Sequence, residues 1–191
     1  MPAAVTAVLS GKEPAAALRA EVAAAAAELT AGGTPPRLAV VVATADESSA
    51  WYVRSIARAA AKAGIGCEVA ELGSDATAGQ IRERLRALSA EPAVHGIILQ
   101  TPLPAGVDAR DAAQHIAPAK DVDGANPLSL GRLAAGLPAF APATAEAVVH
   151  LLDHHGVELS GRQVAVVGRS TVVGKPLAHL LLDRDATVTV C

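Results

Sequence analysis

The chain has 191 residues, of which 51% are apolar but only 2% aromatic, and its formal net charge is −3. A core of Ala, Val, Leu and Ile is therefore available, while the small negative charge and the scattered Lys and Arg give no electrostatic case for nucleic acid. Cys67 and Cys191 form no metal or disulfide spacing, no apolar run approaches the ~20 residues of a membrane span, and Met1 to Ser10 lacks the basic start of a secretory leader, so a cytoplasmic setting is expected.

Pro14 to Thr30 reads as an alanine-rich helix with proline in its first turn and Gly32-Gly33 after its end. Leu38 to Val42 is a short β-branched run, a buried strand. Ser48 or Ser49 is positioned to cap a helix that runs to Ala63 and stops at Gly64. Trp51 and Tyr52, adjacent in an aromatic-poor chain, fall on this helix, and Trp51 is expected to fill a core gap. Cys67 to Leu72 is a second strand, Thr77 with Gln80 a capping box for a helix to Leu88, and Gly96 to Leu99 a third strand. Strands alternating with helices predict a parallel α/β sheet.

Residues 101 to 143 change character, with prolines at 102, 104, 118, 127, 138 and 142 and one short helix expected near Asp111 to Ile116. Loops of this length in a compact domain usually carry function. Thr144 is placed to cap a helix ending at Gly156. His150 and His154 lie one turn apart on it, but no third ligand follows at a sensible spacing, so they read as a histidine-rich helix end favoured by the dipole, with no metal. Gln163 to Val167, the turn Gly168 to Gly174, Lys175 to Leu182 and Thr187 to Val190 then form one βαβ unit, the opening of a doubly wound nucleotide fold. The chain stops inside a predicted strand, and the expectation is a fragment of a longer protein.

Two motifs carry the chemistry. In Lys120-Asp121-Val122-Asp123-Gly124, glycine allows a sharp turn and Asp123 can accept two parallel hydrogen bonds from an amino-pyrimidinone edge such as a pterin presents. The competing reading of Asp123 is an Asx-turn or helix cap, and Asp121 leans structural. Gln100 ends a buried strand, where ligands of α/β sheets bind. The second motif, Gly168-Arg169-Ser170-Thr171-Val172-Val173-Gly174-Lys175-Pro176, spaces its glycines one residue wider than the usual dinucleotide fingerprint and lacks the middle one. It follows a strand and opens a helix whose free amides could hold pyrophosphate. Arg169 suits a 2′-phosphate, against the plainer reading of a solvated turn residue. A pocket for a ring beside one for a nicotinamide cofactor implies hydride transfer.

Together these residues resemble the bifunctional methylenetetrahydrofolate dehydrogenase/methenyltetrahydrofolate cyclohydrolase family. The resemblance runs from Pro36-Arg37-Leu38-Ala39-Val40-Val41, through Ser49, Tyr52-Val53, Gly96-Ile97-Ile98-Leu99-Gln100, Pro102-Leu103-Pro104, the 120–124 loop, Asn126-Pro127 and Gly131-Arg132-Leu133, to Gly168-Arg169-Ser170 and Val173-Gly174-Lys175-Pro176. It implies an N-terminal parallel-sheet catalytic domain over residues 1–143 and the start of an NADP-binding Rossmann domain over 144–191. It implies that Tyr52, Gln100 and Asp123 are catalytic, and that Pro102 joins them in binding folate. Gly168, Arg169, Ser170, Val173, Gly174 and Pro176 would bind NADP, and the assembly would be a cytoplasmic homodimer joined through the cofactor domain, acting in one-carbon metabolism.

The family carries a catalytic lysine one turn after the tyrosine, where this chain has Ile56, and a proline-cysteine-threonine-proline segment that here reads Pro142-Ala143-Thr144-Ala145. The expectation is therefore oxidation of 5,10-methylenetetrahydrofolate with the coupled hydrolysis reduced. The alternative is a non-catalytic pterin- or folate-binding paralogue with a regulatory or structural role.

Overall fold

A computed structural model describes residues 7–191; residues 1–6, most of the stretch read against a leader, lie outside it. The fold is mixed α/β with two parallel sheets. Strand β1 (Arg37–Val42) lies between β2 (Gly66–Glu71) and β3 (Gly96–Leu99) in the order β2-β1-β3. Leu38 pairs with Cys67 on one side and Gly96 on the other, and Val41 with Ala70 and Leu99.

The alternation of side chains along β1 builds two cores. Ala39, Val41 and Ala43 face one way, against Ile81 and Leu85 of α3 (Ala78–Ala90), Ile97, Leu99 and Ile116. Leu38, Val40 and Val42 face the other way, against Val53 and Ile56 of α2 (Glu47–Lys62), Val69 and Ile98. A central strand covered on both faces needs no polar alternation, which is why it reads as an unbroken apolar run.

Residue patterns located most elements to within a few positions. The Thr77–Gln80 capping box forms as expected, while β2 sits one residue earlier than read and the helix expected at Asp111 to Ile116 is α4 (Ala109–Ala113). There Asp108 accepts from the amides of Arg110 and Asp111, so the cap lies upstream of the residues that suggested the helix. Helix α2 is likewise capped by Asp46, not by Ser48 or Ser49.

Helix α5 (Pro127–Ala134) was not expected, although Asn126 caps it and Pro127 stands at its first position. The proline density of the surrounding segment obscured a standard helix start. Thr144 does not cap α6 (Ala143–His154); Pro142 stands at the cap without a side-chain bond. Along α1 (Lys12–Ala31) only Ala26 is fully buried, against the turn at Gly64.

The second sheet pairs β4 (Gln163–Val166) with β5 (Thr187–Val190) in parallel, Val164 opposite Val188. Helix α7 (Gly174–Leu182) covers one face through Leu177 and Leu181, with Leu152 of α6 and Leu159. α7 also packs against α5, which joins the two parts of the chain.

Candidate active site

Helix α2 fixes the first group of candidates. Its buried residues are Ser49, Val53 and Ala60. At about 100° per residue these share one face, Tyr52 and Ile56 lie on its flank, and Trp51 falls on the opposite side. Trp51 is accordingly 60% exposed, so it fills no core gap. Tyr52 is 54% exposed with its ring available. Ile56, one turn on, points inward and packs on the cluster of Val40, Val42 and Val53.

The end of β3 meets this helix at one carbonyl. The Gln100 amide donates to the Val41 carbonyl, which extends the ladder. The Gln100 side chain donates from Nε2 to the Thr101 carbonyl at 2.6 Å, and Ser49 Oγ donates to the same oxygen at 3.4 Å. Thr101 thus ties the strand end that carries Gln100 to the helix that carries Tyr52. Pro102 follows, exposed, after a cis peptide bond.

The 120–124 loop is built on its other aspartate. Asp121 is fully buried, and its carboxylate accepts from the amides of Ala125 and Asn126, both at 2.9 Å, and from Ser129 Oγ at 2.5 Å. That agrees with a structural role for Asp121 and leads the chain into α5. Lys120 turns away from the strand ends: its Nζ donates to the carbonyls of Glu91 at 2.6 Å and Leu88 at 3.4 Å. Val122 packs over Gly96, where a Cβ would come within 2.9 Å of it.

Asp123 is different. It is half-buried, and burial, followed by the nearby charge of Asp121, pushes its carboxyl above the ordinary aspartate range. Among the described residues its carboxylate accepts no hydrogen bond, so it is neither the Asx-turn nor the cap that a turn aspartate usually is. Gly124 has φ +60°, and a Cβ there would stand 2.6 Å from the Pro142 nitrogen. This contact presses the loop against the Pro142–Ala145 segment. In that segment Ala143 is exposed, whereas Ala145 is fully buried and belongs to the packing of α6.

No hydrogen bond joins Tyr52, Gln100 and Asp123 to one another among the described residues. The helix that carries Tyr52 and the strand end that carries Gln100 meet at the Thr101 carbonyl through Ser49 and Gln100, and Asp123 sits on a separate loop braced by β3 and Pro142. An aromatic face, an amide and a partly desolvated carboxylate without a partner suit a flat heterocycle bearing a forked set of N–H donors.

Gly168, Arg169, Ser170, Val173 and Gly174 line one cavity of about 430 Å³, floored by Val148, Leu152 and Leu177. Gly168 has φ +126°, and a Cβ on Gly174 would lie 2.0 Å from the Gly168 carbonyl oxygen, so the turn closes on itself only because both positions are glycine. Pro176 does not line the cavity; it is buried within α7.

The helix start also differs from expectation. Ser170 Oγ accepts from the amides of Val173 at 3.1 Å and Gly174 at 3.5 Å, and its carbonyl accepts from Lys175. Pro176 has no amide hydrogen. The first turn of α7 therefore offers no free amides to a pyrophosphate, because the Ser170 hydroxyl takes those of Val173 and Gly174, the Ser170 carbonyl that of Lys175 and the Val173 carbonyl that of Leu177. The Arg169 guanidinium is exposed and has no partner among the described residues, which fits a phosphate at the adenosine end of a dinucleotide.

His150 lies 3.9 Å from Glu146, and His154 lies 3.7 Å from Glu13 at the start of α1. The two histidines are thus engaged at a helix end and a helix–helix contact. No described helix is long and apolar enough to cross a membrane.

Comparison with known proteins gives two family matches. Residues 9–123 match the tetrahydrofolate dehydrogenase/cyclohydrolase catalytic domain, and residues 142–191 match the NAD(P)-binding domain of the same family. The bifunctional protein FolD 1 of Saccharopolyspora erythraea is 72% identical over 186 residues, covering 97% of this chain and 64% of its own length. FolD 1 of Rhodococcus jostii is 60% identical over 187 residues, covering 98% of this chain and 63% of its own length. The chain thus spans somewhat under two thirds of these curated relatives. Among solved structures, the bifunctional FolD enzyme of Campylobacter jejuni superposes with a TM-score of 0.95 at 33% identity, covering 98% of this chain and 67% of that one. The Trypanosoma brucei methylenetetrahydrofolate dehydrogenase-cyclohydrolase, solved with NADP and an inhibitor, gives 0.89 at 36% identity, over 100% of this chain and 65% of that one.

Proposed function

The chain belongs to the tetrahydrofolate dehydrogenase/cyclohydrolase family, and from that premise we propose that it oxidises 5,10-methylenetetrahydrofolate to 5,10-methenyltetrahydrofolate with NADP, while its hydrolysis to 10-formyltetrahydrofolate is weak. Residues 1–143 hold the folate and 144–191 contribute the cofactor turn. Family membership also supports a homodimer joined through the cofactor portion.

The observation that carries the substrate half is Asp123, a partly desolvated carboxylate that accepts from no donor among the described residues. Desolvation without a partner is unfavourable in the free protein and is relieved when a pterin donates its amino group and ring N–H to the two oxygens. Tyr52 offers a face for the ring system. Gln100, held through the Thr101 carbonyl, positions the reacting edge.

When bound, NADP supplies the hydride acceptor. Loss of hydride from the methylene carbon leaves a cation shared by two folate nitrogens, so the step needs alignment more than a proton acceptor. Tyr52, Gln100 and Asp123 provide that alignment without a lysine. Arg169 holds the adenosine end through its unpaired guanidinium.

Hydrolysis is different, because water must attack and a proton must be handled. A positioned acid–base group contributes ~10²–10⁴-fold to such steps. Ile56 is packed into the apolar layer under α2, and Lys120 is engaged with the Leu88 and Glu91 carbonyls, so neither supplies that group.

The test is spectrophotometric. The protein given methylenetetrahydrofolate and NADP should generate NADPH, and a folded sample that does no better than a blank overturns the reading.

A further inference from the structure

Helix α2 has a second flank. Opposite the Tyr52 side, Val53 and Arg54 face a cavity of about 370 Å³ bounded by Val42, Thr44, Val69 and Glu71. It opens just beyond the carboxyl ends of β1 and β2, the end of a parallel sheet where α/β proteins place ligands. Its volume lies near the lower end of the ~300–1,000 Å³ of small-molecule sites.

Two of its lining residues, Arg54 and Glu71, are exposed and carry opposite charges. Arg54 and Glu71 both line the cavity, yet they form no ion pair with each other or with any described residue. Val42, Val53 and Val69 give the same cavity an apolar lining. Thr44 Oγ1 already accepts from the Asp46 amide at 3.2 Å, which leaves its hydroxyl hydrogen free to donate.

We propose that this cavity binds a small aliphatic α-amino acid as its zwitterion, with the carboxylate on Arg54 and Thr44, the ammonium on Glu71 and the side chain against the three valines. A guanidinium accommodates a carboxylate as a forked pair, and a carboxylate accepts readily from an ammonium. A simple anion would leave Glu71 repelling it, and a simple amine would meet Arg54, so only a ligand carrying both charges satisfies the rim. The site lies on the other side of α2 from Tyr52 and is independent of the folate and NADP sites.

Calorimetry of the protein with L-leucine should show one saturable site per chain with Kd below about 1 mM. L-Leucinamide, which lacks the carboxylate, and 4-methylpentanoate, which lacks the ammonium, should each bind at least about tenfold more weakly. Arg54→Ala and Glu71→Gln, both surface changes that should leave the melting temperature nearly unchanged, should each weaken leucine by a similar factor. Tyr52→Ala should not, which separates this site from the folate site. Absence of saturable binding of leucine, valine and alanine up to about 10 mM, or undiminished binding by the Arg54→Ala/Glu71→Gln double variant, overturns the proposal.

Discussion

Replacing Ile56 by lysine tests the link between this helix position and hydrolysis. Ile56 is half-buried against the cluster of Val40, Val42 and Val53. At ~0.8 kcal/mol per buried methylene, losing part of that contact should cost about 1–2 kcal/mol. The aliphatic stem of lysine recovers some of it by lying along the same surface while the ammonium reaches out beside Tyr52. For a chain of this size the melting temperature should fall by roughly 2–8 °C. Against this stands the kinetic gain. An acid–base group worth ~10²–10⁴-fold lowers the barrier by about 3–5 kcal/mol. Ile56→Lys should therefore raise the decay of methenyltetrahydrofolate absorbance at least tenfold over the parent, with NADPH formation changed much less. Ile56→Met, which keeps the packing and adds no charge, should leave hydrolysis where it was. A folded Ile56→Lys with parental hydrolysis would show that position 56 does not reach the reacting centre. Rapid hydrolysis by the parent itself would show that another group performs the step, and either result refutes the reasoning.

Asp123→Ala should weaken folate binding by ~2–4 kcal/mol in calorimetry, since the ring donors lose a charged partner; a loss below about 0.5 kcal/mol would make Asp123 a turn residue only. The same carboxyl has a raised folded pKa, so the folded state holds its proton more tightly than the unfolded chain, and stability falls as pH rises from the unfolded toward the folded pKa. Asp123→Asn should therefore stabilise the ligand-free protein at pH 7 but not below the ordinary aspartate pKa, and equal effects at both pH values in denaturant titrations would contradict the assignment. Arg169→Ala should narrow the preference for NADP over NAD, and an unchanged ratio of the two affinities would return Arg169 to the status of a solvated turn residue. Gly174→Ala places a Cβ 2.0 Å from the Gly168 carbonyl oxygen, so it should destabilise by about 1–3 kcal/mol and weaken the dinucleotide; a melt unchanged within a degree would mean that the turn relaxes freely.

Local patterns were enough for the order of the strands and of every helix but α5, because β1 and β3 carry apolar runs and Thr77 with Gln80 is a cap that needs no tertiary partner. They were also enough to identify the 120–124 and 168–176 motifs and the isoleucine at position 56, since residue type and spacing reside in the chain itself. What the chain alone left open were choices between neighbouring groups competing for the same hydrogen bond or the same face. Asp46 rather than Ser48 caps α2, and Ser170 occupies the amides left for a pyrophosphate. Asp121 takes the Ala125 and Asn126 amides and the Ser129 hydroxyl, while Asp123 accepts from no donor among the described residues, although the two are only two positions apart. Trp51 faces outward because the sheet claims the opposite side of α2, which composition could not foresee. Such outcomes depend on distances of a few tenths of an ångström between elements far apart in sequence, and those distances exist only once the sheets have packed.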